Sequence, residues 1–325
     1  MPEPSSTLKR RGRFFRIGAA FVVLFAVAGY LAVQYVTGGR GGSGCRVVSG
    51  EADGAAYEFT PEQAVNAATI AAVGTGRGMP ERAVTIAIAT SLQESGLRNI
   101  EHGDRDSLGL FQQRPSQGWG TRKQILDPTY AAGKFYQHLA KVHDYAELPL
   151  TVAAQRVQRS GYPEAYAKHE PDAALLSAAL TGNSPATLTC AGLPATTQAA
   201  GPDAVRAALV RDFGRDALQP AAAEVNAVST PAPSPTESTG TSARTVTLPV
   251  AAGKSPAKGR SVRRRGWQLA HWAVANSSAL HIERVSYGGR EWTAGNADNP
   301  WHTAAAEGVG GVEKAAGAVR IVTAQ

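Results

Sequence analysis

A run of twenty apolar residues, Ile17 to Val36, broken only by Gln34, sets the topology of everything that follows it. At about 1.5 Å per residue, a helix of that length spans about 30 Å, one hydrocarbon core. The preceding residues 1–16 carry Lys9, Arg10, Arg11, Arg13 and Arg16 against the single acid Glu3. A basic flank of this kind stays in the cytoplasm. The expectation is therefore a cytoplasmic tail over 1–16, a transmembrane helix over 17–36 in the cell membrane, and an extracellular body. A cleaved signal peptide competes with this reading, because Ala26-Val27-Ala28 offers a small-x-small site, but the apolar run continues past it. No second stretch is apolar enough to span, which excludes a multi-span transporter.

Cys45 and Cys190 are the only cysteines, too few for a disulfide scaffold or a cysteine-based zinc site. They bracket one segment of the exported body, where paired thiols are more often bonded than free, so a disulfide between them is expected. Closing so long a loop would stabilise the fold by about 5 kcal/mol in the chain-entropy picture.

The body divides by composition. Residues 37–54 include Gly38 to Gly44, GGRGGSG, a flexible spacer. Over 55–215 nearly every periodic stretch is helical. Thr60-Pro61-Glu62-Gln63 combines an N-cap, a proline at the first helical position and a first-turn acid, opening a helix through about Val73. Pro80-Glu81 opens a second helix, whose Ala83, Ile86, Ile88, Ala89 and Leu92 are apolar nearly all round, so it belongs in the core. Further helices are expected over 128–142, 149–158, 163–168, 172–180 and 202–213, with no strand among them. Residues 216–262 are low in complexity and read as a disordered linker, ending near the basic run Lys254, Lys258, Arg260, Arg263, Arg264 and Arg265. Residues 263–325 carry a helix around Trp267 to Leu280 and alternating stretches at 282–287, 290–293 and 319–323, a small α+β unit. The fold class expected is mainly α.

The chemistry concentrates in Gln93-Glu94-Ser95-Gly96-Leu97, followed by Asp106-Ser107-Leu108-Gly109-Leu110-Phe111-Gln112-Gln113. A Glu-Ser pair closing a buried helix, with Gly-Leu-aromatic-Gln beginning fifteen residues after the Glu (109 minus 94), resembles the lysozyme-like lytic transglycosylases and goose-type lysozymes. The resemblance covers roughly residues 55–170 and implies a lysozyme-like helical domain acting on the MurNAc–GlcNAc strands of peptidoglycan. It implies that Glu94 is catalytic, serving as acid and then base while the muramyl 6-hydroxyl closes to an anhydro sugar. It also implies that Ser95 and Gly109 to Gln113 line the sugar groove, with Gln112 in the place of the family glutamine. The physical requirement is independent of the likeness: protonating a poor leaving oxygen needs a carboxylic acid raised by an apolar setting. Hydrolysis would want a second acid to position water, and Asp104 and Asp106 lie nearest in sequence. Trp119, between Gly118 and Gly120, and Tyr162, with Tyr166 close by, are candidates to stack on sugar, with core packing as the alternative.

Two departures stand out. Where the family often has Ser nine residues after the Glu, this chain has Gly103, and its A-Y-N-A-G stretch is replaced by Ala154-Gln155-Arg156-Val157-Gln158-Arg159-Ser160-Gly161, so Gln155 or Gln158 would have to stand in for the lost groups. The seven histidines show no metal-ligand spacing, so neither metal nor cofactor is expected. Gly266 to Trp292 is similar to the last half of LAS-type D-Ala-D-Ala peptidase-like domains, but Val319-Arg320-Ile321 stands where those carry their H-x-H ligands.

The function expected is a membrane-anchored protein that cleaves glycan strands outside the cytoplasm. A non-catalytic wall-binding protein with the same fold, and a structural partner of a division or secretion complex, are the rivals. Partners expected are peptidoglycan strands, the membrane through 17–36, and, from the net charge of +7 and the basic linker, anionic wall polymers; nucleic acid is not.

Overall fold

The computed structural model describes residues 44–51, 53–160, 163–192, 201–215, 244–250, 262–295, 300–304 and 317–324. The expected membrane span over 17–36, the basic tail before it, Tyr162 and most of the low-complexity stretch lie outside these residues. Among the described residues, no helix is long and apolar enough to cross a membrane.

The chain opens with strands β1 (Cys45–Val48) and β2 (Ala56–Phe59), within and just beyond the stretch read as a spacer. Helices α1 (Pro61–Gly76) and α2 (Glu81–Ser95) follow, then short α3 (Arg122–Ile125), α4 (Pro128–Leu139), α5 (Leu150–Gln158), a 3-10 turn over Pro163–His169, and α6 (Glu170–Leu180). Strand β3 (Leu188–Cys190) and helix α7 (Gly201–Phe213) come next. The C-terminal part holds β4 (Thr245–Pro249), α8 (Val262–Ala275), α9 (Ser277–Leu280), β5 (Ile282–Tyr287), β6 (Arg290–Thr293), β7 (His302–Thr303) and β8 (Ala318–Thr323).

The expectation of a mainly α chain is therefore corrected. Among the described residues the fold is 51% helical and 17% strand, arranged in two antiparallel sheets, ordered β2-β1-β3 and β4-β8-β5-β6-β7. Strand β4 lies inside the stretch read as linker. Its inward Val246 and Leu248 alternate with exposed Thr247 and Pro249, a period too short to register in a five-residue run. The expected disulfide is present: Cys45 and Cys190 are bonded across 145 residues and are register partners on β1 and β3.

Local chemistry accounts for the helices around the site. Thr60 and Gln63 form a reciprocal capping box at the start of α1. From Ala83 to Leu92 every residue of α2 is buried, and its three alanines let neighbouring helices approach closely. Helix α2 packs against α1 and α6, and α1 against α4.

Residues Ser43–Gln325 form one compact unit, and the C-terminal part shares its core with the helical part. In α8 all ten residues from Gly266 to Ala275 are buried, because one face meets the five-stranded sheet and the other meets α1 and α6. At Gly266 a side chain would collide with the Tyr287 ring, so the helix rests directly on β5. Several polar groups in this interface are paired across it. Gln268 Nε2 donates to Thr75 Oγ1 at 2.6 Å, and Trp301 Nε1 donates to the Leu188 carbonyl at 2.9 Å. The fully buried Asp212 accepts from Trp272 Nε1 at 2.8 Å and Thr69 Oγ1 at 3.3 Å, and pairs with Arg211 at 2.7 Å.

His271 sits in the same interface. Its Nδ1 lies 2.8 Å from the Ala179 carbonyl, which can only accept, so Nδ1 carries the proton of the neutral ring, and Nε2 has no partner. Burial pushes this ring down to about 4. A histidine depressed in the fold contributes stability above its unfolded value, about 6.5, and that stability is lost as pH falls toward about 4. The wild-type chain should lose on the order of 3 kcal/mol over this range, and His271→Asn should flatten the loss. Urea denaturation midpoints at pH 7 and pH 4 measure it; equal slopes in the two chains would remove His271 as the cause.

Candidate active site

Helix α2 ends abruptly, and this places Glu94. The Gly96 amide bonds the Leu92 carbonyl at 3.0 Å, an αL cap with Gly96 left-handed at φ 65°, and the Leu97 amide bonds the Ser91 carbonyl at 3.1 Å. Leu97 is also left-handed, at φ 58°, and wholly buried. Two side chains of α1 hold this strained corner: Gln63 Nε2 donates to the Gly96 carbonyl and Asn66 Nδ2 to that of Leu97, each at 2.8 Å. Glu94, in the last turn, is half-buried.

The segment from Gly109 to Gln113 is fastened to the end of α2. Ser95 Oγ lies 2.8 Å and Ser91 Oγ 3.1 Å from the Leu110 carbonyl, and both hydroxyls are buried. Leu108 and Gln113 exchange backbone hydrogen bonds at 3.0 Å, closing the turn. Gly109 has φ 72°, and a side chain there would run into the Ile125 carbonyl. Phe111 is buried against Phe135, ring centres 4.7 Å apart. The Gln113 amide is buried and donates to the Ala131 carbonyl at 3.1 Å.

The third piece comes from α5 and the 3-10 turn. Tyr166 Oη, on a fully buried ring, donates to Glu94 Oε1 at 2.7 Å. Gln158 Nε2 donates to the Phe111 carbonyl at 2.8 Å, and its side chain also hydrogen-bonds the Glu94 carboxyl. Burial raises Glu94 above the ordinary carboxylate value, against the opposing pull of the Tyr166 and Gln158 hydrogen bonds. Its place at the negative end of the helix acts in the same direction as burial. Burial and the Glu94 charge in turn push Tyr166 well above the usual phenol range. Among the described residues no second carboxylate acts on Glu94.

The other candidate residues take varied places around Glu94. Ser95, Leu110, Phe111 and Gln113 are buried, so their side chains brace the site rather than face a ligand. Asp106 pairs with Arg114 Nε at 2.7 Å and accepts the Ser116 amide at 2.8 Å, and these contacts hold it well below the usual carboxylate range. Trp119 stacks on His138 rather than standing free. Gln112 is half-exposed beside Gly109, and a side chain at position 103 would collide with its amide oxygen. The departure at Gly103 thus makes room for Gln112. Of the two glutamines named as substitutes, Gln158 reaches Glu94, while Gln155 turns away to the Ser160 carbonyl at 2.7 Å.

No protein-family model and no curated protein matches this chain.

The titration of Glu94, followed through its carboxyl carbon shift, should be centred above that of an ordinary glutamate. Tyr166→Phe removes a donor to the charged form and should move the midpoint higher still. An unmoved midpoint would take Tyr166 out of the electrostatics of the site.

Proposed function

We propose that the protein cleaves the MurNAc–GlcNAc strands of peptidoglycan outside the cytoplasm, with Glu94 as general acid and base. The observation that carries this reading is the set of contacts on Glu94. One half-buried carboxyl, raised by burial, is held by Tyr166 and Gln158 beside the Gly109–Gln113 turn. A raised carboxyl keeps its proton nearer neutral pH, the condition for delivering it to a glycosidic oxygen. The lone carboxyl favours transglycosylation over hydrolysis. Glu94 protonates the leaving oxygen, then takes the proton of the muramyl 6-hydroxyl as that oxygen bonds the anomeric carbon, closing the anhydro ring. No water needs a second acid to position it. The disulfide fits an oxidising compartment.

The full chain, incubated with purified peptidoglycan, should release 1,6-anhydromuramyl products identified by mass spectrometry. Reducing-end muramyl products would make the reaction hydrolytic, and strands left intact would overturn cleavage altogether.

A further inference from the structure

Beyond Glu94, unpaired positive charge collects on the outer face of α4 and the end of α5. The Trp119 and His138 rings stack with centres 4.3 Å apart. Tyr130 Oη donates to the Trp119 carbonyl at 3.2 Å, and Lys134 Nζ lies 5.5 Å from the centre of the Tyr130 ring. Burial, then the charges of Lys141, Lys134 and Arg159, push His138 below its ordinary value, and no carboxylate opposes them. Among the described residues, Lys134, Lys141 and Arg159 have no ion-pair partner, whereas Arg82, Arg114 and Arg206 each have one. Two acids on the flanks of α4 are engaged elsewhere: Asp127 caps its start and Asp144 pairs with His143.

Lys134, His138 and Lys141 recur at i, i+4 and i+7 along and just past α4, and cations so placed without a counter-charge repel one another, a cost that an anionic ligand relieves. The stacked rings beside them offer an apolar surface. The position of this face names the ligand. Arg159 directly follows Gln158, which contacts both the Phe111 carbonyl and Glu94. Through Arg159 this face adjoins the segment that braces Glu94, the side along which the substituents of a strand bound there would run. In peptidoglycan those substituents are peptide stems, attached to the same muramyl sugars and bearing carboxylates.

We propose that Trp119, Lys134, His138, Lys141 and Arg159 form a subsite for the carboxylates of the peptide stems. This inference rests on the glycan-cleaving reading and adds that the substrate is a strand still bearing its stems.

The test uses the full chain carrying Glu94→Gln, so that strands are bound without being cut. Dissociation constants are measured for soluble strands with native stems and for strands whose stem carboxylates have been converted to amides, which keeps the shape and removes the charge. The chain should bind native strands about tenfold more tightly than amidated ones, with the difference shrinking as salt rises. Adding Lys134→Gln, Lys141→Gln and Arg159→Gln should erase that difference and leave binding of amidated strands unchanged. Equal affinity for both strands in the first chain, or equal weakening on both after substitution, would overturn the subsite alone. Failure to bind either strand would overturn the glycan reading and the subsite with it.

Discussion

Glu94→Gln should abolish strand cleavage, lowering the rate by at least about a thousandfold, because one residue both gives and takes the proton. Glutamine preserves the shape of the side chain and can still accept from Tyr166 Oη, so the loss would be chemical and not a collapse of the site. Stability should move the other way. Glu94 is raised in the fold, so its contribution to stability is full below the unfolded value and is lost as pH rises through the folded one. The glutamine chain escapes that loss, so its Tm should match wild type at low pH and equal or exceed it at neutral pH. Muropeptide release and thermal melts on the same two chains separate the effects. Wild-type release from the variant would remove Glu94 as the acid, and a much lower Tm would mean that the substitution had damaged the fold.

The second large effect concerns the C-terminal part. A chain ending at residue 215 keeps every residue named around Glu94, yet it should not fold cooperatively. Removing α8 uncovers the apolar faces of α1 and α6 and strips Asp212 of the Trp272 donor and Thr75 of the Gln268 donor. Loss of contacts across a whole buried helix exceeds the marginal stability of a domain, about 5–15 kcal/mol. The shortened chain should aggregate or melt without a sharp transition in circular dichroism. A cooperative transition within about 5 °C of the full chain would show instead that residues 45–215 stand alone.

These two cases show what could be read from the sequence and what could not. The capping pattern at Thr60-Pro61-Glu62-Gln63 and the largely apolar stretch from Ala83 to Leu92 are local signals, and both helices lie where those signals put them. The spacing from Glu94 to Gly109 was legible because a left-handed glycine leaves a mark on the sequence. The three-stranded sheet was not: β1, β2 and β3 have four, four and three residues, too few for alternation to emerge. The buried roles of Ser95 and Gln113 were hidden for a different reason. Both are polar residues whose partners are backbone carbonyls 15 and 18 residues away, and the sequence carries no trace of a carbonyl. The same holds for the Trp119–His138 stack, where two side chains meet only because α4 folds back past the Gly118–Gly120 turn. The C-terminal part read as a separate unit because its strands alternate and its helix is apolar. Only the burial of α8 on both faces reveals that the apolar surplus serves two neighbours.

The bond between Cys45 and Cys190 also has a mechanical meaning. A pull applied before Cys45 and after Cys190 enters the chain at β1 and leaves from β3, its register partner, through a covalent link. Residues 46–189, with Glu94, Tyr166 and Gln158 among them, form a closed loop outside that load path. Tension between those two points would pass by the site without opening it, and reduction of one bond would route the same force through the whole loop.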